Sequence, residues 1–109
     1  FISPLNGAHV GPRFTVRFGL KGMGVAPAGV NLPNTGHHHL LVNGELPANL
    51  DLPLAASDSV RHFGKGQTET VLELPPGTYT LQLMLGNHLH IPHQPPVVSG
   101  TIRVTVGAE

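Results

Sequence analysis

The chain has 109 residues, six Lys and Arg against six Asp and Glu, and a formal net charge of zero with histidine neutral. Phosphate binding needs a basic surplus, so the balance argues against nucleic acid as a partner, and no polybasic run marks a membrane surface. The absence of cysteine removes thiolate zinc and iron–sulfur sites and leaves compartment unread from disulfides, and no apolar run approaches the roughly 20 residues of a membrane span.

A hydrophobic fraction of 39% supports one modest core, so residues 1–109 are expected to form a single domain. The chain opens on Phe1 rather than Met, as a trimmed or processed chain would. Eight histidines outnumber the six Lys and Arg. Imidazole is the commonest protein metal ligand and titrates nearest neutrality. Fourteen Gly and eleven Pro punctuate short alternating segments, which is the pattern of an all-β domain with many turns.

In chain order, residues 1–4 read as a short strand whose Pro4 suits an edge. Asn6-Gly7 signals a turn. Residues 13–20 alternate, with Phe14, Val16, Phe18 and Leu20 on one face. Residues 21–36 form a long Gly/Pro/Asn loop holding Met23. Residues 37–43 are the next strand, ended by Asn43-Gly44. Residues 45–59, with two Leu-Pro pairs, read as irregular. Residues 61–67 read as a turn-like connection. Residues 68–74 are a strand, 75–77 a turn, and 78–85 an alternating strand with Leu81, Leu83 and Leu85 on the core face. Residues 86–100 form a second long loop, with His88, His90 and His93. Residues 101–106 alternate again, with Ile102, Val104 and Val106 inward.

These elements predict an immunoglobulin-like antiparallel β-sandwich of about seven strands. The run Pro75-Pro76-Gly77-Thr78-Tyr79-Thr80-Leu81 sharpens the prediction. It resembles a tyrosine corner, in which a Tyr two residues before a core position bonds back to upstream backbone. Lettered this way, 13–20 is strand B, 37–43 C, 68–74 E, 78–85 F and 101–106 G. The B–C, D–E and F–G connections then share one end, and every histidine but His9 falls in them or, for His37–His39, where strand C emerges from B–C.

Alternation puts His37 and His39 on one face. His38 shares the other, more apolar face with Leu40 and Val42. His88 and His90 form a second His-x-His pair if strand F continues past Gly86. His93 is held among prolines, which restrict its loop. The expected metal ligands are His37, His39, His88, His90 and His93. His62 is a second-tier ligand or orienting residue, and Gln67 and Glu69 are expected to fix tautomers. Met23 and Met84 are read as packing residues. An imidazole site without thiolate suits copper first, by intrinsic affinity, and zinc second. Residues 64–68 lack phosphate-loop spacing, and Asp51 and Asp58 read as solvated loop carboxylates.

Four stretches carry a resemblance: Gly36–Val42; His62–Glu69; Leu74–Leu83; and His88–Ser99 with His90-Ile91-Pro92-His93. With Gly22-Met23 and Pro27-Ala28-Gly29, they resemble the bacterial family of domain of unknown function 4399 over nearly the whole chain. The resemblance implies an exported protein in the periplasm or outside the cell, and brings no activity with it. The functional expectation is metal binding, storage or delivery, with a metal ion and a protein metal donor or acceptor as partners. A metal-dependent enzyme with an open coordination position and a metal-free interaction module are the alternatives.

Overall fold

The computed structural model describes residues 1–43, 54, 57, 59–93 and 96–107. Asp51, Asp58, the two Leu-Pro pairs and Pro95 lie outside them. The described residues contain no helix and eight strands: β1 (His9–Val10), β2 (Arg13–Arg17), β3 (Gly24–Val25), β4 (Thr35–Val42), β5 (Val60–His62), β6 (Glu69–Glu73), β7 (Gly77–Gly86) and β8 (Ile102–Val106). They form two sheets. One runs β1-β8-β7-β4-β3, with β5 also on β4; the other is β2-β6.

The alternation of β2 is realised residue by residue. Phe14 and Val16 are buried, whereas Arg13, Thr15 and Arg17 are exposed. These apolar residues meet Leu40 and Val42 of β4, Leu81 and Leu83 of β7, and Val104 and Val106 of β8 in one core between the sheets. Burying such side chains contributes about 1.5–3 kcal/mol each. Tyr79 makes the expected corner: its hydroxyl donates to the Pro75 carbonyl at 2.7 Å, and Leu81 two residues on is fully buried.

The pairing β4-β7-β8 and the pairing β2-β6 follow the C-F-G and B-E order of the lettered strands. The larger sheet is mixed rather than purely antiparallel. β1 lies parallel to β8, and β3 lies parallel to β4. Each has two residues, too few for a period to show in sequence. The opening segment first pairs with β2, through Ile2 N–H to the Arg17 carbonyl at 2.9 Å, and then reaches the edge of β8.

One further departure matters for the site. The 61–67 region is not simply a turn. Val60–His62 is a strand antiparallel to β4, with His62 opposite His39. β4 is therefore paired along both edges, by β7 on one side and by β3 and β5 on the other. All of its residues after Thr35 are buried. Both faces of this strand are covered, and its three histidines are covered with them.

Candidate metal centre

Regular alternation along β4 sends His37 and His39 to the outer face of the larger sheet, and His38 to the face that looks into the sandwich. His38 packs there against Phe18, with ring centroids 5.0 Å apart. The outer face also carries a small apolar cluster of Leu41, Leu54 and Met84, joined by Val60. Met84 stands opposite His39 across the β4–β7 ladder. It packs in that cluster, as read from the sequence.

The third imidazole comes from a turn. β7 ends at Gly86, and the His90 N–H donates to the Asn87 carbonyl at 2.9 Å. The Asn87 side chain accepts from the N–H groups of Leu89 and Ile91 at 2.8 and 3.1 Å, so one amide oxygen holds the turn. His90 adopts φ 62°, a left-handed conformation that costs a residue with a β-carbon about 1–2 kcal/mol. Its carbonyl accepts from Leu54 N–H at 2.7 Å. The strained turn brings the ring back over β4.

The result is a nitrogen cluster. His90 Nδ1 lies 2.9 Å from His37 Nε2 and 3.1 Å from His39 Nε2. Among the described residues, His37, His39 and His90 form the group whose ligand atoms, all within 4.8 Å of one another, can hold one ion. His62 adds a fourth ring. It stacks on His90, centroids 4.5 Å apart at 28°, and meets His39 edge-on at 4.5 Å.

Two glycines make the space. A β-carbon on Gly86 would stand 2.5 Å from His39 Cε1. A β-carbon on Gly36 would stand 2.6 Å from the Gly86 carbonyl oxygen and 2.8 Å from both His93 Nε2 and Leu85 Cγ. Neither glycine's role in making this space is legible from residue type alone. The Gly-His-His-His start of β4 and the Gly86-Asn87 turn dipeptide were the available signals.

Burial keeps His37 and His39 neutral. His37 and His39 are each 0% exposed. Burial lowers His37 from 6.5 to about 4, helped by the nearby His90, His62 and His38. Burial lowers His39 to about 3, helped by His37, His62 and His90. His62 is lowered by burial and then by His90, while a hydrogen bond to the Leu54 backbone opposes the shift. At neutral pH the lone pairs of His37 and His39 are free of protons.

A neutral imidazole nitrogen carries either one N–H or one in-plane lone pair. His90 Nδ1 can therefore complete a hydrogen bond with one of the two facing Nε2 atoms, not with both. The second nitrogens fare no better. Among the described residues, the buried side-chain nitrogens and oxygens without a partner are His37 Nδ1, His38 Nε2, His39 Nδ1, His62 Nε2 and His93 Nε2. All are imidazole nitrogens. Each such group costs about 1–3 kcal/mol.

Not every expected ligand joins the cluster. The turn at Asn87 breaks the parity of the His88–His90 pair, and His88 is outside the three-histidine group. His88 instead offers its backbone carbonyl to Gly29 N–H at 3.0 Å. His93 lies beside Gly36, which shares the inward face with His38. Gln67 is used within its own turn, accepting from Lys65 N–H at 2.9 Å. Glu69 is exposed on β6 in the other sheet. Among the described residues, neither side chain makes the expected tautomer-fixing contact. His9 pairs with Thr105, whose β7 partner is Thr78, at the end of β7 away from Gly86.

The chain belongs to the family described as Domain of unknown function (DUF4399), whose profile matches residues 16–107. That match spans β4, β5 and the His90 turn, and it carries no activity. No curated protein and no solved structure matches the chain.

Proposed function

We propose that this domain binds a transition-metal ion through His37, His39 and His90, and that it serves metal binding, storage or delivery. The observation that carries the reading is the meeting of three imidazole nitrogens that hydrogen bonding among themselves cannot satisfy. One cation accepts all three lone pairs. Ligand nitrogens at 2.0–2.1 Å from a tetrahedral ion stand about 3.3 Å apart. The 2.9 and 3.1 Å separations therefore need to open by only a few tenths of an ångström.

Copper is the first choice and zinc the second. An all-imidazole donor set serves both, and copper binds more tightly in the divalent series. The buried thioether of Met84, across the ladder from His39, gives the site a soft neighbour that favours Cu(I). His62 acts as an orienting residue: its ring stacks on His90 and holds that side chain over β4. An exported setting, in the periplasm or outside the cell, completes the proposal, with a protein metal donor or acceptor as partner.

Titration of metal-free protein with Cu(II) and Zn(II) tests the reading. A dissociation constant well below micromolar is expected, with the loss of at least a hundredfold in His37→Ala and His90→Asn. Asn tolerates the left-handed backbone of position 90, so that variant removes the imidazole while sparing the turn. Binding no tighter than micromolar, about −8 kcal/mol, rejects the proposal.

A further inference from the structure

The inward face of β4 has a second unexplained histidine. His38 is 3% exposed, and its Nε2 has no partner among the described residues. It lines a recess of about 180 Å3, together with Lys21, Leu83, Leu85, Val97 and Ser99. Strand alternation separates this recess from the nitrogen cluster, because His38 points away from His37 and His39.

The lining has three parts. Leu83 and Leu85 are buried, and with Leu20 and Val97 they make an apolar wall. His38 supplies one buried nitrogen that no group among the described residues satisfies. Lys21 is exposed and has no ion-pair partner among the described residues, while no lining residue is acidic. Ser99 is already committed: its hydroxyl accepts from Leu83 N–H at 2.8 Å and donates to the Gly100 carbonyl at 2.9 Å.

We propose that this recess is a second binding site, for a small monocarboxylate with an apolar body. The body covers the Leu83, Leu85 and Val97 wall. His38 Nε2 is closed off from solvent in the ligand-free chain, so the imidazole turns toward the recess on binding, and its Nε2–H then donates to a carboxylate oxygen while the negative charge answers Lys21. Size limits the ligand. A closed apolar cavity of about 150 Å3 takes one benzene ring, so an open recess of about 180 Å3 holds a ring or a short branched chain with its carboxylate. The site is independent of the metal reading and stands if that reading fails.

The test uses benzoate as probe, with benzyl alcohol as its uncharged counterpart, followed by NMR titration of the whole chain in metal-free and metal-loaded forms. Saturable benzoate shifts at Leu83, Leu85, Val97 and Ser99 are expected, in both forms. Lys21→Gln, a change at an exposed position, should weaken benzoate about fivefold, as loss of an exposed charge pair does, and leave benzyl alcohol unchanged. His38→Phe keeps a ring against Phe18 and should weaken benzoate about tenfold through the lost hydrogen bond. Val97→Phe narrows the recess from its half-buried rim and should weaken both probes. Absence of saturable benzoate binding, or benzoate binding that none of the three variants changes, overturns the proposal.

Discussion

The imidazole of His39 occupies the space that a side chain on Gly86 would fill, since a β-carbon there would stand 2.5 Å from His39 Cε1 and 3.1 Å from its Nδ1. Gly86 is the cross-strand partner of His37 rather than of His39. The ring leans diagonally along the ladder to reach it, and in doing so comes within 3.1 Å of His90. The absence of a side chain at one residue of β7 thus sets the position of a ligand on β4.

Gly86→Ala tests this. The added methyl group must displace the His39 ring, and overpacking of this kind costs about 1–3 kcal/mol. Metal affinity should fall at least tenfold while the fold persists, as judged by circular dichroism and titration. An Ala variant with unchanged affinity would show that His39 does not need its present position.

Gly36→Ala should be more damaging to the fold. Its β-carbon would meet the Gly86 carbonyl oxygen at 2.6 Å, and that oxygen belongs to the backbone of a central strand pair. The two strands must separate locally. A loss of stability of more than about 2 kcal/mol is expected, measured by urea unfolding, even with no metal present. A variant as stable as the parent contradicts the close approach of β4 and β7 at this point.

Acid should destabilise the metal-free protein. His37 falls from 6.5 to about 4 and His39 from 6.5 to about 3 on folding. Between those values and 6.5 the unfolded chain binds more protons than the folded one, so stability rises with pH across that window. It is fully present above about pH 7 and drains away as pH falls toward 4 and then 3. The urea midpoint should be flat from pH 7 to 8 and decline steadily below 6.5. A midpoint level down to pH 4.5 would mean that these rings are not buried and neutral.

His88 and His90 are two residues apart and should behave differently. His90 lies within 3.1 Å of two other imidazoles, whereas His88 is outside the three-histidine group. His88→Ala should change metal affinity less than about threefold, and His90→Asn should abolish tight binding. Equal losses in the two variants would indicate that the turn at Asn87 rearranges around the ion.

The contrast between these two residues shows what the sequence could convey. Strand parity was enough to separate His38 from His37 and His39, because β4 is eight residues long and regular. Tyr79 and Leu81 disclosed the corner in the same way, since that motif is local in sequence. Parity failed at His88 and His90, where the strand stops at Gly86 and the Asn87 side chain holds a turn. His62 was legible as a second-tier ligand or orienting residue, but its strand was not: three residues do not make a period, and its pairing with His39 spans more than twenty residues of chain. Nor could composition tell that His93 would settle beside Gly36 and not with the cluster.

X-ray absorption at the metal edge addresses the central claim most directly, with copper- or zinc-loaded parent protein compared with loaded His90→Asn. Three imidazole nitrogens at about 2.0–2.1 Å are predicted for the parent, with one fewer in the variant or no metal retained. A coordination shell dominated by oxygen, or an imidazole count that His90→Asn leaves unchanged, would contradict a centre built from His37, His39 and His90.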